Sequence, residues 1–186
     1  MHDMSEFRSW KQRLWLAALV ASSIVLSLWL ACAMPFAAFC ALAACSLSRR
    51  HAIYFTASVW LANQAVGFAF LNYPWTANGL AWGAAMGLAS LVTTFAAYQT
   101  VAHSNIRWLP LQGVLAFSTA FTVNELLLFA ISFVLGGTEN FTFAIQARIL
   151  TINAIAFAGL LALSKVGALL GVLQPRPASM PTTHPA

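Results

Sequence analysis

The chain has 186 residues, of which 61% are hydrophobic and only 7% charged, with a mean hydropathy of +0.79. Charged residues make up about a quarter of a soluble chain, so 9 Lys plus Arg and 4 Asp plus Glu cannot build a water-facing surface, and a soluble globular domain is excluded. The pI of 9.6 is not a nucleic-acid signal, because the basic residues fall one to three at a time between apolar runs instead of clustering on one face. The composition predicts an all-α, polytopic membrane helix bundle.

In chain order, a segment over 1–13 carrying Arg8, Lys11 and Arg13 precedes an apolar run over 14–47, which Pro35 interrupts and Arg49 and Arg50 close. Later runs cover 52–72, 77–102, 108–135 and 141–173. A helix rises ~1.5 Å per residue, so ~20 residues cross the hydrocarbon core. Each later run is one span, and 14–47 has room for two. Charge decides the count. With a hairpin near Met34 and Pro35, residues Arg8, Lys11, Arg13, Arg49, Arg50, Arg107 and Arg176 all face one side; with a single span the last four move to the opposite side and the asymmetry vanishes. The positive-inside rule therefore predicts six transmembrane helices in a domain over 14–173, with both termini cytoplasmic in a bacterial-type inner membrane. External loops are expected at 34–35, 72–76 and 136–140, and internal ones at 48–51 and 103–107. The second span, 36–48, is short for a full crossing. Trp10, Trp15 and Trp108 fall at the inner boundary and Tyr73 and Trp75 at the outer one, as interfacial rings do. The tail over 174–186 holds four of the seven prolines and is expected to be a disordered cytoplasmic end.

Ala31-Cys32-Ala33 resembles a cleavage site after a basic segment. The apolar stretch from Leu14 to Leu30 is longer than a usual signal core, and Trp29 stands where a lipoprotein signal has Leu, so this segment is expected to remain as the first span. Cys32, Cys40 and Cys45 form no C-x-x-C pair, which argues against a thiol-redox centre, a zinc site or a disulfide framework. His51 and His103 are isolated at cytoplasmic boundaries, and no H-E-x-x-H, G-x-S-x-G or nucleotide-binding loop occurs. No metal, no cofactor and no enzymatic activity are expected.

A charge at a helix centre in lipid costs at least ~2.5 kcal/mol, so intramembrane ionisable groups are site candidates by default. Lys165 lies near the inner boundary, where it snorkels to headgroups. Glu125 and Arg148 lie at similar depth on either side of the external turn Gly136-Gly137-Thr138-Glu139-Asn140, so antiparallel packing is expected to pair them, as a structural ion pair or as part of a ligand site. Asn63 and Gln64 sit in the external half of the third span, Asn78 and Trp82 in that of the fourth, and Asn124 adjoins Glu125. Gln146 and Asn153 share a helical face of the sixth span. Convergence of these faces would form a cavity open to the outside, lined by amides, the charged pair and the rings of Trp75 and Trp82; each amide alone has interhelical hydrogen bonding as its plainer role. Gly79, Gly83 and Gly87 repeat at i+4, a stripe expected to admit a neighbouring backbone, and Ala17 and Ala21 repeat likewise in the first span.

Six short-looped spans with both ends inside and an Ala17-x-x-x-Ala21 step in the first span resemble the substrate-binding S component of energy-coupling-factor vitamin transporters. That resemblance implies that Ala17 and Ala21 contact a transmembrane coupling subunit, and that Asn78, Trp82, Glu125, Arg148 and Asn153 are ligand candidates, joined by Asn63 and Gln64 on polarity. The expected function is capture and uptake of a vitamin-like or cofactor-precursor molecule from the external face, with membrane lipids, a small ligand and a coupling subunit as partners and no nucleic acid. The alternative is a membrane assembly or scaffold protein whose buried polar groups serve helix packing alone.

Overall fold

The computed structural model describes residues 17–22, 34–104, 106 and 108–169. The expected terminal segments over 1–13 and 174–186, the Ala31-Cys32-Ala33 stretch and Arg107 lie outside the described residues. Within them the chain is helical: α1 (residues 17–22), α2 (Phe36–Ser46), α3 (Arg49–Phe70), α4 (Ala77–His103), α5 (Leu109–Leu135), a 3-10 turn (Thr138–Asn140) and α6 (Phe143–Leu169). Three helices are long and apolar enough to cross a membrane, over Ala77–His103, Pro110–Leu135 and Phe143–Gly167. Large apolar side chains such as Phe133, Val134, Phe143 and Ile155 point out of the bundle. Apolar surface on that scale needs a lipid solvent, and the protein is a membrane-embedded helical bundle.

The helix ends follow local chemistry. Thr76 accepts the Gly79 N–H at the start of α4 (3.1 Å), which satisfies one of the free donors of the first turn. Pro110 opens α5, where its missing N–H costs nothing. Gly136 and Gly137 close that helix at φ of 83° and 97°, a region that glycine enters without a Cβ penalty. Successive long helices run antiparallel. Thr56 of α3 meets Thr94 of α4 at 2.8 Å, and Phe117 of α5 stacks on Phe157 of α6 with centroids 5.1 Å apart.

The core is α2. Its FAAFCALAACS sequence is apolar all round and Phe36 to Ala44 are buried, as a helix without a polar face requires. It folds back on α3 across the two-residue link Leu47-Ser48, with Phe39 beside Phe55 (6.1 Å), and it contacts α4, α5 and α6 as well. Eleven residues cover about 16 Å, roughly half of a ~30 Å hydrocarbon core. The expected loop at 34–35 is corrected: Pro35 is fully buried, and α2 begins inside the bundle instead of at a surface. Alanines make this possible, because their small side chains let four helices close around α2.

Candidate functional site

The N-terminus of α2 opens level with Asn153, near the middle of α6. There the Ala38 N–H donates to the Asn153 Oδ1 (3.2 Å), and the Asn153 Nδ2 donates to the Ile149 carbonyl of its own helix (3.0 Å). The Ala38 N–H is shared with the Pro35 carbonyl (3.1 Å), so the Asn153 side chain ties the first turn of α2 to α6 and adds a second acceptor at a helix end that lies in the interior. Asn63 of α3 is also buried.

Gln64 differs from these. Its Nε2 and Oε1 are buried with no hydrogen-bond partner among the described residues, and the oxygen lies over Gly83, where an added Cβ would come within 2.5 Å of it. Neighbouring Trp60 donates its indole N–H to the Gly83 carbonyl (2.8 Å) and covers Gly87, where a Cβ would lie 2.5 Å from Trp60 Cε2. The Gly83 and Gly87 positions therefore admit two α3 side chains and not a bare backbone, which corrects the expectation for that stripe. Gly79 lies against the Pro74 carbonyl.

Glu125 is half-buried on α5. Its carboxylate accepts from Asn124 Nδ2 (3.3 Å) and faces the Gln146 side chain of α6. The expected ion pair with Arg148 does not form. The register is as expected, but Gln146, Ile149 and Asn153 occupy the inward face of α6, while Arg148 lies with Thr151 and Ile155 on its exposed outer stripe. Depth was readable from turn position; the direction of the side chain depended on which stripe of a nearly uniform helix turned inward.

Asn78 is exposed in the first turn of α4, and Trp82 is half-buried, its ring 3.7 Å from where a Cβ of Gly137 would be. Trp75 is exposed and packs on Phe68 (4.5 Å). Of the seven expected ligand residues, the bundle brings Asn63, Gln64, Glu125 and Asn153 to its inward faces and leaves Asn78 and Arg148 outside. A buried polar group that the expectations missed lies lower, where Cys40 donates to the Ser90 carbonyl (3.4 Å) beside Thr56 and Thr94. Its only sequence signal is the i+4 spacing of Ser90 and Thr94, in line with Gly87.

Two cavities lie at the opposite end of the bundle, and neither is lined by any of the seven. One is a void of about 10 Å³ between Leu19, Leu42, Ala43, Ser46, Leu47, Phe55 and Ser164, about the room one water needs. The other is a groove of about 440 Å³ between α1 and α3, and Ala17 and Ala21 line it. Among the described residues no group of three His, Cys, Asp or Glu side chains could hold a metal ion. Comparison with known proteins finds no matching family model, curated protein or solved structure.

Proposed function

We propose that this chain is a membrane subunit that captures a small, vitamin-like or cofactor-precursor molecule at its external face, after the manner of an S component, and that it binds without catalysing. The observation that carries this reading is α2, a half-length helix whose N-terminus opens inside the bundle below a set of inward amides and one carboxylate. Broken helices with their positive ends at mid-membrane are a recurrent way for transporters to hold substrates. The unpartnered Gln64 amide adds a donor and an acceptor that a ligand would satisfy. In this proposal the chain makes six membrane segments with α2 as the partial one, and the end carrying Arg49, Arg50 and Lys165 is cytoplasmic in a bacterial-type inner membrane. Ala17 and Ala21, exposed on α1, meet a coupling subunit.

The test is mass spectrometry of solvent extracts from protein purified in mild detergent. A stoichiometric small molecule is expected, lost in Gln64→Leu and Glu125→Ala. No ligand in the wild type, and no thermal shift with any vitamin or precursor tested, would leave the scaffold alternative. That alternative has its own support: Asn153, Trp60 and the Thr56–Thr94 pair all spend their hydrogen bonds between helices. Ala17→Trp or Ala21→Trp should abolish association with a coupling subunit without changing ligand binding.

A further inference from the structure

We propose that the groove between α1 and α3 binds one anionic phospholipid, with an acyl chain along the groove and the phosphate at its basic mouth. Ala17, Val20 and Ala21 of α1 form one wall, and His51, Tyr54, Phe55 and Ser58 of α3 the other. The hollow exists because alanines face bulky α3 side chains, and its volume of about 440 Å³ is in the range of small-molecule sites. His51, Tyr54 and Ser58 follow i, i+3, i+7 spacing and so share one face of α3.

The charge at the mouth selects the occupant. Arg50 lies one turn before Tyr54 on α3 and is exposed, whereas Arg49 is turned toward α4, with its guanidinium 4.9 Å from the Phe95 ring centroid. Arg50, adjacent to His51 in sequence and on the Tyr54 face of α3, is therefore the arginine placed to meet a head group at this end of the groove. His51 Nδ1 is 2.7 Å from Ser48 Oγ, which anchors the imidazole at the start of α3. Tyr54, 69% exposed, offers an amphipathic ring of the kind found at the membrane interface. An apolar trough within the bilayer that ends in a guanidinium and an imidazole matches a molecule with a hydrocarbon tail and an anionic head. The lipid occupies the groove in the chain free of a coupling subunit, which would displace it from the Ala17 and Ala21 wall; a second copy's apolar helix would fill the trough but leave Arg50 without a counter-charge.

Native mass spectrometry of the delipidated full chain, titrated with phosphatidylglycerol or phosphatidylcholine, tests the site. One phosphatidylglycerol should be retained per chain in preference to phosphatidylcholine. Arg50→Gln should weaken that binding roughly fivefold, the loss expected of one basic residue at an anionic lipid, and Ala21→Leu, which fills the groove, should abolish the preference. Equal binding of the two lipids, or unchanged phosphatidylglycerol binding in both variants, would overturn the proposal, as would a two-chain mass in place of the lipid adduct. Circular-dichroism melts establish that each variant is folded. Should Arg50→Gln not fold, the lipid preference of Ala21→Leu decides alone.

Discussion

Glycine shows how far a single residue can be interpreted. Gly87 and Gly159 are both helical, yet a Cβ at Gly87 would strike the Trp60 indole, whereas one at Gly159 meets nothing within 4 Å. Gly87→Ala should destabilise the bundle by about 1–3 kcal/mol, the usual cost of overpacking. Gly159→Ala should be neutral or stabilising by up to about 1 kcal/mol, because alanine restricts the unfolded chain. Thermal unfolding in detergent, followed by circular dichroism, distinguishes the two. Glu125 and Arg148 give a second residue-scale expectation. Since they do not pair, glutamine at each position should change stability additively, with a coupling energy no larger than about 0.5 kcal/mol in a double-mutant cycle. A coupling of several kcal/mol would restore the ion pair.

At the scale of elements, α2 concentrates the packing energy. Phe39 is fully buried between α2 and α3, and Phe39→Ala should cost about 3–5 kcal/mol. Asn153→Ala would remove one of the two acceptors of the Ala38 N–H, which keeps the Pro35 carbonyl (3.1 Å), for a loss of about 0.5–1.5 kcal/mol. Chemical denaturation of both variants in mixed micelles measures these costs, and a wild-type midpoint for Asn153→Ala would show that the interior helix end needs no cap from α6. The shortness of α2 is plain in the sequence, from Pro35 to the arginines at 49 and 50. Its central position is not, because hydrophobicity in a membrane chain does not separate a lipid-facing helix from one enclosed by protein.

For the whole molecule, the proposed orientation makes opposite ends of the bundle chemically distinguishable. With Cys32, Cys40 and Cys45 replaced by alanine, Glu139→Cys should react with an impermeant maleimide added to intact cells, and His103→Cys should react only after the membrane is opened. Both positions are exposed, so failure of the second to label in either condition would not be a matter of burial. Labelling of His103→Cys from outside would reverse the topology and remove the external binding face with it.

The one-dimensional pattern determined the elements. Apolar run lengths placed α3, α4, α5 and α6 within a few residues of their observed bounds, because a membrane helix must satisfy its backbone internally and ends where polar or turn residues return. Register was legible too, since rise per residue converts position into height, and Glu125 faces Gln146, two residues from Arg148. Rotation was not. Mostly apolar helices carry little directional signal, so only packing decided that Asn153 turns inward to meet α2 while Arg148 turns outward, and that Gly83 and Gly87 receive Gln64 and Trp60. The same holds for Pro35. Its sequence context reads as a surface turn, and the closure of four helices around a run of alanines makes it the start of a buried one.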